Sequence, residues 1–162
     1  AIAKYFEGVQ NFAESAKAWR LIVELEPANP VEAFWNLAKA ESGSLNPKGV
    51  RDAAAKLTSL DPKNEQGHND NLGVLEGHAQ IDADPKLAIA VFERVVKDFT
   101  GSDGALEAMF MIGSVLGQSL RDYDGAAAQW KKLQAASPDS EWGKKVPNAL
   151  KWAENMKSRK RK

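Results

Sequence analysis

The chain has 162 residues, 43% hydrophobic and 27% charged, enough for one domain that buries its own core. Its 22 Lys and Arg balance 22 Asp and Glu, so no net field steers it toward nucleic acid or an anionic membrane. It contains no cysteine, which excludes disulfides, thiolate metal sites and a cysteine nucleophile. No apolar run approaches the roughly 20 residues of a membrane span. The chain opens on Ala1, which points to a cleaved signal peptide or to a piece of a longer protein.

Long stretches rich in Ala, Leu, Lys, Glu and Gln carry apolar residues at three- and four-residue spacing, with Gly and Pro between them. That pattern predicts an all-α fold. In chain order, Ile2, Ala3 and Phe6 mark a first helix, followed by a helix with Ser15, Trp19 and Ile22 that Pro27 ends. Phe34 and Leu37–Ala38 mark a third helix. A turn at 42–47 leads to a fourth, with Val50, Ala54, Leu57 and Pro62. Leu72–Gly73 then precedes Ala88, Phe92 and Val95, with Thr100 where a proline would stand. Met109 and Ile112–Gly113 precede Ala126, Trp130, Leu133 and Pro138. The second helix of each pair thus repeats one spacing, with a period in the mid-thirties. A proline just past the last turn stops a helix because its ring has no N–H. The small residue of each adjacent pair lets the two helices approach.

These motifs resemble the tetratricopeptide repeat family, with the closest match between Asn11 and Pro30. The resemblance covers about residues 1–139. It implies an all-α, right-handed superhelical stack of antiparallel helix hairpins, at about 1–28, 30–63, 65–101 and 104–139. Residues 140–157 fit no further hairpin. Trp142, Val146, Ala149, Leu150, Ala153 and Met156 form one apolar stripe there, read as a capping helix with Pro147 near its start. The whole of 1–157 is then a single domain, with a basic, solvated tail at 158–162. The cysteine-free hairpins and the stretch Pro138–Trp142 are also similar to periplasmic bacterial repeat proteins of envelope assembly. That likeness implies a periplasmic or secreted chain, with a cytoplasmic scaffold as the alternative.

No catalytic constellation is visible. His68 and His78 lack metal-ligand spacing, and Leu72–Gly77 lacks the strand and lysine of a phosphate loop. The expectation is therefore a non-enzymatic scaffold for a protein or peptide, with no cofactor, no metal, no specific nucleic acid and no membrane span. In the resembled fold the first helix of each hairpin lines a concave groove. The matching positions here are Lys4, Glu7, Glu32, Trp35, Asn36, Lys39, Asp70, Asn71, Val74, His78, Glu107, Phe110, Met111, Ser114 and Gln118. Trp35 and Phe110 are the aromatic anchors if they face the groove, and core if neighbouring repeats bury them. Asn36 and Asn71 offer carboxamides to a peptide backbone. The basic clamp of the chaperone-binding subfamily is absent, so this wall favours an apolar or weakly basic segment.

A competing expectation is self-association. The N-terminal helix presents Ile2, Tyr5 and Phe6 near an uncapped edge, and such a face needs cover. Its partner on a second copy would be the C-terminal helix with Trp142, Trp152 and Met156. A head-to-tail contact of that kind grows into filaments, whereas a face-to-face contact gives a dimer.

Overall fold

The computed structural model describes residues 2–160. Among them every regular element is helical and there is no strand. The helices are α1 (Ile2–Gly8), α2 (Phe12–Glu24), α3 (Pro30–Gly43), α4 (Pro47–Leu60) and α5 (Asn69–Gln80). They continue with α6 (Pro85–Asp98), α7 (Asp103–Ser114), α8 (Tyr123–Ala136) and α9 (Glu141–Lys160). A π-helical turn, Val115–Ser119, prolongs α7.

Local chemistry sets the starts. Asn11, Asn29, Asn46, Asp84, Ser102 and Asp122 each accept a backbone N–H of the first turn through a side-chain oxygen. Each cap satisfies a donor that the helix leaves unpaired. Pro30, Pro47 and Pro85 open α3, α4 and α6, where a missing N–H costs nothing. Helix α5 has no such cap on His68. The loop before it is organised by Asp61 instead, whose carboxylate accepts the N–H groups of Glu65 (2.8 Å) and Gln66 (2.9 Å). Those two bonds, Gln66 first, hold the Asp61 carboxyl below its ordinary pKa, with a smaller contribution from nearby His68. Helices α2, α4 and α8 end two or three residues before Pro27, Pro62 and Pro138. Helix α6 stops without a proline. The Thr100 hydroxyl caps the carbonyls of Val96 and Lys97, and Gly101 turns the chain at φ +86°.

Each helix packs on the next in sequence. In addition α3 packs on α5, α5 on α7 and α7 on α9, while the even-numbered helices show no comparable packing on one another. The molecule is therefore a two-layer helical stack, with α3, α5, α7 and α9 in mutual contact in one layer and the even-numbered helices behind it. The repeated apolar positions fill the space between layers: Val50, Leu57, Ala88, Phe92, Val95, Ala126, Trp130 and Leu133 are all buried. The small residues of the paired motif do what their size suggests. Gly73 lies against Val95, and Gly113 lies under the indole of Trp130.

Two details differ from the sequence reading. Helix α9 runs on to Lys160 rather than ending near 157, so the basic run is largely its last turns. Cations there oppose the negative end of the helix dipole. Ala1, Arg161 and Lys162 lie outside the described residues. Pro147 stands inside α9, in its second turn and exposed, rather than at the start. Its ring gives the Gly143 carbonyl no N–H to accept. Gly143 is buried against the backbone of Ser137 and Pro138, where a β-carbon would not fit.

Candidate functional site

The odd-numbered layer carries the residues singled out for partner binding. On α3, Glu32 is exposed and Trp35 and Lys39 are half-buried. Trp35 stacks flat on His68, with ring centroids 4.5 Å apart and planes 7° apart, and the Lys39 ammonium lies 5.6 Å from the Trp35 centroid. The imidazole comes from the start of α5, so this stack bridges two neighbouring odd helices. Trp35 also packs on the N-terminal core. It is neither a free anchor nor a fully buried core residue.

Further along, His78 Nε2 and Glu107 Oε1 stand 3.0 Å apart and link α5 to α7. Asn71 donates to Asp70 Oδ1 at 3.3 Å. Phe110 is half-buried, its ring 5.8 Å from Trp130 and 5.3 Å from Trp142. Gln118 is exposed on the π turn.

Four expected groove residues are not on an open wall. Asn36, Asp70, Val74 and Ser114 are buried at 5%, 6%, 3% and 8% exposure. The reason is the mutual packing of the odd helices, which turns one flank of each into a seam. Asn36 shares its helical stripe with buried Ala33 and Ala40. Val74 belongs to the central core, and the Asp70 carboxylate accepts the Gly104 N–H at the start of α7. The Ser114 hydroxyl is spent on the Phe110 carbonyl. Glu7 also turns inward, accepting hydrogen bonds from Trp19 Nε1 (2.8 Å) and the Ser15 hydroxyl (3.3 Å).

The residues expected to self-associate divide between the two ends. Ile2 and Tyr5 are 68% and 66% exposed, with Val9 at 55% in the turn just past α1, while Phe6 is half-buried edge-on to Tyr5. Trp142, Trp152 and Met156 are half-buried on α9. Trp142 and Trp152 pack inward on the C-terminal core, Trp152 against Tyr123 and Trp130. They therefore do not form the exposed apolar face that a head-to-tail contact was expected to use.

The odd layer ends in a cleft of about 370 Å³ between α7 and α9. Phe110 and Gln118 line one side, with only the small exposed part of Ser114 beside them; Lys145, Asn148, Ala149 and Trp152 line the other, and Trp130 contributes from α8. Lys145 lies 3.7 Å over the Trp142 ring and pairs with Glu141 at 2.8 Å. Lys145 and Asn148 were missed in the sequence because only the docking of α9 beside α7 makes them part of this face. Among the described residues no group of His, Asp and Glu is placed to hold a metal, and no helix is long and apolar enough to cross a membrane. No family model matches the chain, and no curated protein sequence is significantly similar to it.

Proposed function

We propose that this chain is a non-enzymatic, tetratricopeptide-like scaffold that holds a peptide or helix of another protein along its odd-numbered layer. One observation carries the reading: α3, α5, α7 and α9 form a continuous layer that ends in an aromatic cleft with polar groups at its edge. Among the described residues the Trp152 indole N–H finds no hydrogen-bond acceptor, and the side chains of Gln118 and Asn148 find no partner. A concave, mostly apolar site with a few free polar groups is the usual form of a binding site. The Trp35–Lys39–His68 stack gives a second platform on the same layer.

The test is to select peptides from a displayed random library and map them on isotope-labelled protein by amide shifts. Perturbations on α3, α5, α7 and α9 support the reading. Perturbations confined to α4, α6 and α8 would place binding on the other layer and refute it.

The exposed stripe of Ile2, Tyr5 and Val9 favours a second reading, self-association through α1. Sedimentation across concentration, with Ile2→Lys and Tyr5→Lys, decides it. A wild type that stays monomeric at high concentration would sink it.

A further inference from the structure

The cleft between α7 and α9 has a neighbour. A second cleft, of about 500 Å³, is lined by residues that include Arg121, Tyr123, Met156 and Arg159. Gln118 and Trp152 border both clefts, so the two meet there. Aromatic and apolar groups line them, and among the described residues their charged groups are Lys145, Arg121 and Arg159, with no Asp or Glu. Lys145 is partly committed to Glu141. Arg121 and Arg159 are exposed and make no ion pair among the described residues.

The π turn builds this arrangement. Its carbonyls of Val115 and Leu116 accept the N–H groups of Leu120 (3.1 Å) and Asp122 (2.8 Å), which bends the chain back toward α9. Such turns recur at functional sites. Within it Gly117 is buried, and a β-carbon there would stand 2.8 Å from Cζ3 of Trp152. The missing side chain lets the Trp152 ring lie across the turn and separate the two clefts. Arg121 follows in the left-handed region, φ +56°, a conformation uncommon for a residue with a side chain.

We propose that this trough docks an acidic amphipathic segment of a partner protein. A bulky apolar side chain of that segment enters between Phe110, Trp130 and Trp152. Its carboxylates pair with Arg121 and Arg159, and its backbone bonds to the carboxamides of Gln118 and Asn148. Charge complementarity selects this partner, because among the described residues the lining guanidinium groups make no ion pair and no carboxylate lines the clefts to compete for them. This differs from the apolar or weakly basic segment expected from the sequence of the groove. The acidic residues that shaped that expectation, Asp70 and Glu107, lie outside both clefts.

The proposal rests on the scaffold reading and deepens it. Its test uses the full chain and a fluorescein-labelled peptide of about twelve residues, with Leu and Phe one helical turn apart among Asp and Glu. Three probes accompany it: the same peptide with Lys for its acids, the same with Ser for Leu and Phe, and a thymidine oligonucleotide. Anisotropy is expected to show that the acidic amphipathic peptide binds tightest and weakens with salt. Arg121→Glu with Arg159→Glu should weaken it at least about tenfold and strengthen the Lys peptide. Both arginines are exposed, and far-ultraviolet dichroism of the variant checks that the fold is kept. Tighter binding of the Lys peptide or the oligonucleotide to the wild type, or an unchanged affinity in the double variant, overturns the proposal. If this peptide fails while library-selected peptides perturb α3 and α5, the trough assignment falls and the scaffold reading stands. If no peptide binds at all, both fall.

Discussion

Gly113 of α7 lies directly under the indole of Trp130 in α8, in space that a β-carbon would have to share with the ring. Trp130 is 2% exposed and donates its Nε1–H to the Phe110 carbonyl at 2.9 Å, so it has no room to retreat. Gly113→Ala should therefore destabilise the fold by about 1–3 kcal/mol through overpacking. Gly8 is a counterpart with nothing within 4 Å of its would-be β-carbon. Gly8→Ala should be neutral or stabilise by up to about 1 kcal/mol, since alanine suits a helix better. Urea unfolding of both variants checks the pair, and equal effects would mean that this packing is not what the glycine serves.

The two sequence-marked tryptophans should separate in the same assay. Trp130→Ala leaves a large hole in the C-terminal core and should cost about 3–5 kcal/mol. Trp35 is only half-buried, and its ring partner His68 is half-buried too. Trp35→Ala should cost less, about 1–2 kcal/mol, for a partial loss of apolar burial. If the two losses were equal, Trp35 would be core and no part of a binding face.

Glu41 is a carboxylate at 1% exposure, held by Arg20 (2.6 and 2.7 Å) and by Asn46 Nδ2 (2.7 Å). It ties α2 and the start of α4 to α3. Arg20→Ala should destabilise more than Glu41→Gln, because it leaves a buried charge with one neutral partner. Arg20 is about half exposed, which discounts the usual figure for a broken buried pair to about 2–3 kcal/mol, against about 1–2 kcal/mol for Glu41→Gln. Thermal unfolding at neutral pH measures both, and a costlier Glu41→Gln would reverse the argument.

Acid should loosen the α4–α5 loop. The Asp61 carboxyl titrates below its ordinary value because the N–H groups of Gln66 and Glu65 favour the charged form. A depressed pKa contributes stability that is complete above the unfolded value, near pH 4, and is lost as pH falls through the folded one. Stability measured against pH should thus fall more steeply below about pH 4 in the wild type than in Asp61→Asn. Parallel profiles would show that these two bonds do not couple to folding.

Helix positions were legible in the sequence because capping and stopping are local. Asn29 before Pro30, Asn46 before Pro47 and Asp84 before Pro85 act within one turn, and so do Pro27, Pro62 and Pro138 beyond the ends they limit. The repeated spacing from Val50 to Leu57 and from Ala126 to Leu133 fixed which face is buried, since helical period converts spacing directly into direction. Only the tertiary structure decided what surrounds the opposite face. The contact of odd helices with one another buried Asn36, Asp70, Val74 and Ser114, which the resemblance to a helical-repeat fold had put on an open wall. Likewise the π turn and the docking of α9 gathered Gln118, Arg121, Trp152 and Arg159, which are up to 41 positions apart in sequence, around meeting clefts. A residue's own helix fixes its direction, but only the neighbouring helices fix whether that direction meets solvent or another side chain.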